Sequence, residues 1–132
     1  MGLATAKLLA SRGASISLAD LNEDGLQIAI EELSTPDRHI RTCVDVRSTQ
    51  SVDAWIERTV KHFGRLDGAV NMAGVITPAC PIVEATDDSL AFSLSVNTQG
   101  VFRCLRAQLR AMTGGGSIVR SVTNATGARS FR

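Results

Sequence analysis

Gly2 opens a run of helix-forming residues, and Asp20 closes a short apolar strand 18 positions later. A glycine at a helix start lets a phosphate approach the backbone, where free N–H groups and the helix dipole hold anions. A carboxylate that far along, at the end of a strand, can accept hydrogen bonds from ribose hydroxyls. The plain alternative for Asp20 is to cap the next helix. Asp45 and Val46 end the next strand, CVDV, where the carboxylate could hold an adenine or cap a turn. The strand after that ends in Asn71-Met72-Ala73-Gly74. Small residues at the C-terminal end of a parallel strand leave room for a flat ligand, although these four alone could form only a tight turn. Asn97 lies inside a long amphipathic helix. Asparagine is a poor helix former there because its amide competes for backbone hydrogen bonds. Asn97 beside Gly100 therefore points to a local kink or a functional amide, with an exposed or locally bonded side chain as the ordinary alternative.

The elements that must position these residues follow from hydrophobic spacing. Residues 3–12 favour helix, with Leu3, Ala6, Leu9 and Ala10 on one face, and Gly13 stops it. ASISLAD (14–20) reads as a strand. Asn22 caps a helix lined by Leu26, Ile30 and Leu33, which Pro36 and Asp37 break. HIRTCVDV (39–46) is a second strand. Ser48 caps a helix carrying Val52, Trp55, Ile56, Val60 and Phe63, and Gly64 ends it. LDGAVNMAG (66–74) is a third strand. A proline-containing loop leads to Thr86 or Asp87, where a long helix begins and runs to about Met112. GGGSIVRSV (114–122) is a glycine turn and a fourth strand, and the last ten residues have little pattern. Alternation of this kind predicts one α/β domain, a parallel sheet with helices on both faces.

Composition narrows the partners. A net charge of +1 gives no electrostatic reason for nucleic acid or an anionic membrane surface. No apolar stretch reaches about 18 residues, and no basic segment followed by an apolar run opens the chain. Ala6 stands where a myristoylation signal needs Ser or Thr. Cys43, Cys80 and Cys104 are too few and too widely spaced for a disulfide framework or a zinc site. They point to a reducing, cytoplasmic setting and to no metal.

In order and spacing, these residues resemble the short-chain dehydrogenase/reductase family. Its members carry TGxxxGxG after the first strand, Asp at the end of the second, DV after the third and NNAG after the fourth. A catalytic Asn follows in the fifth helix, then a catalytic Ser and YxxxK. The resemblance covers essentially residues 2–122, through Gly2 as the last glycine of the first motif, Asp20, Asp45–Val46, Asn71-Met72-Ala73-Gly74, Asn97 and GGGSIV. It implies a Rossmann-like doubly wound parallel sheet, incomplete because the first central strand and the C-terminal strands are missing. Residues 1–132 are then one partial domain, expected to be a piece of a longer oxidoreductase.

The resemblance also implies roles. Gly2, Asp20, Asp45, Val46, Asn71, Ala73 and Gly74 bind the cofactor. A carboxylate at Asp20 favours NAD(H) over NADP(H), because it accepts from two ribose hydroxyls and repels a 2′-phosphate. Asn97 is catalytic and holds a water in a proton relay. The catalytic serine is irregular here: in SIVRSVTNATG, Ser121 is the nearest serine past the strand, Thr123 comes second, and counting back from Gly127 gives Asn124. The substrate would be a small alcohol or ketone. The helix 87–112 would pack between subunits in a homo- or hetero-oligomer, while Arg103, Arg106 and Arg110 on it read most simply as a solvated face.

The departures matter equally. The chain contains no tyrosine, so the general acid/base of YxxxK and the lysine that tunes it are absent. Loss of such a group costs about 10²–10⁴-fold, and this chain alone is expected to be inactive. The competing readings are a non-catalytic nucleotide- or partner-binding module and a functionless relic. Without the central strand, two apolar edges must stay unpaired or pair directly with each other, so the chain is expected to be marginally stable.

Overall fold

The structure, a computed structural model, describes residues 1–120. Helix α1 (Gly2–Ser11) has no side-chain cap at its start, and Gly13 follows its end with φ +91°. Strand β1 (Ser17–Asp20) leads to α2 (Glu23–Glu31), which Asn22 caps by accepting from the Gly25 N–H. Strand β2 (Ile40–Cys43) leads to α3 (Thr49–Phe63), where the Ser48 side chain accepts from the Ser51 N–H. Gly64 closes α3 in the left-handed conformation, which glycine adopts without steric cost. Strand β3 (Gly68–Asn71) is followed by the proline loop, α4 (Asp87–Leu94), a π-helical turn (Ser95–Gly100), α5 (Val101–Ala111) and β4 (Ser117–Arg120).

The strands are shorter than their apolar runs suggested. Asp20 ends β1, but Asp45 and Val46 lie past the end of β2, and Met72–Gly74 lie past the end of β3. The helix expected over 87–112 runs from Asp87 to Ala111 but is interrupted by the π turn at Asn97. The amide and the glycine that argued for a kink are thus the residues of an inserted turn, a feature common at functional sites.

All pairing is parallel. β1 pairs with β2 from Ser17 opposite Ile40 to Asp20 opposite Cys43, and β3 pairs with β4 from Gly68 opposite Ser117 to Asn71 opposite Arg120. Among the described residues no ladder joins the two pairs. The edges that would flank a central strand therefore do not pair with each other.

Helices cover both faces, as β1 demonstrates. Leu18 packs with Ala6 and Ala10 of α1 and with Leu33. Ala19, the next residue, packs on the opposite face against a core of Val44, Val52, Ile56, Cys104 and Ala107. The Trp55 indole N–H donates to Ser17 Oγ (2.9 Å), and the Ser17 and Thr59 hydroxyls meet at 2.8 Å, which ties α3 to that same face of β1. This is the doubly wound arrangement in incomplete form.

Candidate functional site

Parallel pairing places the C-terminal ends of β1 and β2 side by side, and a contact between the start of α1 and the loop after β3 brings further candidate residues together. Gly2, at the start of α1, lies against the loop after β3: a Cβ built on it would meet Met72 Cβ at 3.7 Å. The uncapped helix start thus adjoins the small residues Ala73 and Gly74, both exposed. Asp20 is exposed at the end of β1, and its Oδ1 accepts from the Asn22 N–H at 3.0 Å. One carboxylate oxygen thus orders the turn into α2, and the carboxylate remains open to solvent.

Asp45 is occupied. Its carboxylate accepts from the Arg47 N–H (2.9 Å) and from the Arg47 guanidinium at 2.7–3.1 Å, while its own N–H donates to Ser51 Oγ (3.1 Å). The Arg47 hydrogen bonds hold the Asp45 carboxyl below the usual carboxylate range. Arg47 in turn lies 5.9 Å from the Phe92 ring centroid on α4. Of the two roles open to Asp45, turn capping is present in the geometry.

Asn71 points inward. Its Nδ2 donates to Gln108 Oε1 (2.9 Å) and Gln108 Nε2 donates back to Asn71 Oδ1 (2.8 Å), joining β3 to α5. Asn97 clamps the loop beyond Gly74. The Val75 N–H donates to Asn97 Oδ1, and Asn97 Nδ2 donates to the Val75 carbonyl, both at 2.8 Å, with a further bond to Ser93 Oγ at 3.2 Å. The Asn97 side chain is therefore committed to protein partners. Ser121 and Thr123 lie outside the described residues.

Three partners were not singled out from the sequence. Gln108 sits four residues after Cys104 on the apolar face of its helix, and a polar residue there signals a buried partner. Arg47 and Val75 gave no such signal, because an exposed arginine and a backbone acceptor are invisible to hydrophobic spacing. The basic stripe is also less solvated than expected: Arg103 bonds Gln99, Arg106 lies 5.2 Å from the Phe102 ring centroid, and of the three only Arg110 is exposed to solvent at the surface. A cleft of about 1080 Å³ lies elsewhere, between α3 and α5 at the N-terminal ends of β3 and β4. It is lined by Ile56, Val60, Leu66 and Ala107 and contains none of the candidate residues.

A family model described as Enoyl-(Acyl carrier protein) reductase matches residues 1–130. Short-chain dehydrogenase/reductase aba4 of Botryotinia fuckeliana is 46% identical, over 97% of this chain and 52% of that protein. The chain belongs to the short-chain dehydrogenase/reductase family. Chanoclavine-I dehydrogenase of Aspergillus fumigatus, a further relative, is 36% identical over 94% of this chain and 51% of its own length. Among solved structures, NAD+-bound xylitol dehydrogenase superposes with a TM-score of 0.89 at 31% identity, over 94% of this chain and 49% of that one. Levodione reductase gives 0.88 at 33%, over 92% and 49%. The chain thus spans about half the length of the curated relatives it matches. The family uses nicotinamide cofactors and acts on small molecules. The bare helix start at Gly2 beside the loop after β3, and the exposed carboxylate of Asp20 at the end of β1, are of the chemical types that hold a pyrophosphate and a ribose. Among the described residues no helix is long and apolar enough to cross a membrane.

Proposed function

We propose that this chain is the nucleotide-binding part of an NAD(H)-dependent oxidoreductase acting on an alcohol or ketone. The observation that carries the reading is the meeting of the uncapped α1 start at Gly2 with the loop after β3 at Met72; a separate exposed carboxylate, Asp20, ends β1. The backbone N–H groups at the start of α1 hold the pyrophosphate. Asp20 accepts from the adenosine ribose hydroxyls and disfavours a 2′-phosphate, which selects NAD(H) over NADP(H). Asp45, fixed by Arg47, shapes the adenine side of the site together with Val46. Asn71 holds the end of β3 through Gln108, and Asn97 holds the loop after it through Val75. The bound nicotinamide supplies hydride transfer to or from the substrate carbon. No tyrosine in these 132 residues can hold the exchanged proton, so this chain alone binds the nucleotide and does not turn over. Its free cysteines suit a cytoplasmic location.

Isothermal titration with NADH and NADPH, paired with a hydride-transfer assay, tests this. Binding of NADH tighter than NADPH without turnover is expected. A folded chain that binds neither nucleotide, or prefers NADPH, overturns it.

A second reading, association through the helix 87–112, is favoured by one observation. Phe102 and Leu109 are exposed on α5, while Arg103 Nη1 and Arg106 Nε are shielded from solvent with no acceptor among the described residues. A partner presenting an apolar face would cover Phe102 and Leu109. Sedimentation that stays monomeric at high concentration, alone and with a full-length homologue, would rule it out.

A further inference from the structure

Gly100 is buried, and its backbone is ordinary right-handed helix, φ −60° and ψ −47°. Nothing in its conformation calls for glycine, which destabilises a helix relative to alanine. Space does call for it. A Cβ at this position would lie 2.8 Å from Val46 Cγ2, 3.1 Å from Val46 Cβ and 3.4 Å from the Val46 carbonyl oxygen. Carbon atoms pack at about 3.5–4.0 Å, so one of the two segments would have to move. Val46 is half-buried and β-branched, with few rotamers to yield into.

The same π turn carries Asn97, which clamps both backbone groups of Val75. Its clearance on the other side is also small: a Cβ on Gly74 would lie 3.4 Å from Asn97 Oδ1. The turn is therefore seated between two loops, one after β2 and one after β3.

We propose that Gly100 is a positioning residue: by letting Val46 seat directly against the π turn, it sets where Asn97 grips Val75 and couples the loop after β2 to the loop after β3. The contact stands on its own geometry, while its consequence for a nucleotide rests on the reading above, in which both loops border the bound cofactor.

Amide hydrogen exchange on the 132-residue chain, without nucleotide, separates the two. The Val75 N–H reports the clamp and the Ile56 N–H, in the core of α3, reports the whole fold. Gly100→Ala is expected to speed Val75 exchange about tenfold or more relative to Ile56. Adding Val46→Ala, which removes the atom in closest conflict, is expected to restore the ratio. In an Asn97→Ala background Val75 is already released, so Gly100→Ala is expected to change its ratio no further. Val46→Ile, which crowds the same contact from the other side, provides the test if Gly100→Ala does not fold, and is expected to speed Val75 in the same sense. An unchanged ratio in Gly100→Ala or Val46→Ile, acceleration of both amides together, or failure of Val46→Ala to restore protection overturns the proposal. None of these results depends on whether NADH binds.

Discussion

The side-chain amides of Asn71 and Gln108 hydrogen-bond to each other twice, at 2.9 and 2.8 Å, in the buried layer between β3 and α5. Each amide satisfies the other, and neither is open to water. Gln108→Leu strands the Asn71 amide, and an unsatisfied buried polar group costs about 1–3 kcal/mol. Asn71→Leu should do the same to Gln108. The double variant should cost less than the sum, because both polar groups then leave together. Urea midpoints of the four proteins measure this, and simple additivity would contradict the pairing.

Asp45 and Arg47 form an ion pair at the loop after β2. The carboxyl is held below its ordinary value of 3.8, chiefly by the Arg47 side-chain hydrogen bond. A lowered folded-state value stabilises the fold above the pH at which the unfolded carboxyl titrates, and that contribution fades as pH falls through the folded value. Arg47→Met should therefore lower Tm by about 2 °C at pH 7, a small effect because both partners lie near solvent. The difference from the parent chain should shrink as pH falls below 3.8 and vanish once the folded carboxyl is protonated. A difference that persists undiminished into acid would place its origin elsewhere, in the Arg47–Phe92 contact.

Asp20 offers the sharpest cofactor test. Asp20→Ala removes a charged acceptor for two hydroxyls, each such bond worth about 1.5–3 kcal/mol. NADH affinity should fall about a hundredfold or more, while NADPH affinity should hold steady or rise as the repulsion disappears. Titration of both nucleotides against both proteins decides it, and an equal loss for the two would show that Asp20 only supports the turn at Asn22.

Cys43 and Cys80 are exposed, whereas Cys104 is buried in the core between α3 and α5. Burial raises the Cys104 thiol above its ordinary range, so little thiolate forms. A thiol reagent at pH 8 should react with two cysteines quickly and with the third only as the fold opens. Three equally fast thiols would mean that the core around Cys104 is not closed.

Much of this arrangement is legible in the sequence because it rests on local spacing. Caps at Asn22 and Ser48, the stop at Gly64 and the apolar face of α3 are short-range signals, and each reappears in the structure. The disturbance at Asn97 is legible too, as an amide and a glycine where a helix does not want them. What those residues touch is not. Val46 against Gly100, Asn71 against Gln108 and Asn97 against Val75 are long-range meetings fixed by the topology, and no periodicity encodes them. Asp45 could be read two ways because its partner, Arg47, is an unremarkable surface residue.

β1 and β3 each pair on one side only among the described residues, and their facing edges do not join. Two-stranded sheets are marginal in water by themselves, and here the helices alone tie the two pairs together, through α3 over β1 and α5 over β3. Val70 of β3 and Leu18 and Ala19 of β1 stay partly exposed, although strands in a covered parallel sheet are normally buried. Unfolding should therefore expose less surface than usual for 132 residues, giving a shallow urea slope and a low midpoint. The open edges should also favour self-association at high concentration. Urea titration with parallel light scattering checks both. A steep, cooperative transition with the slope normal for this length would show that the two pairs of strands fold as one closed unit.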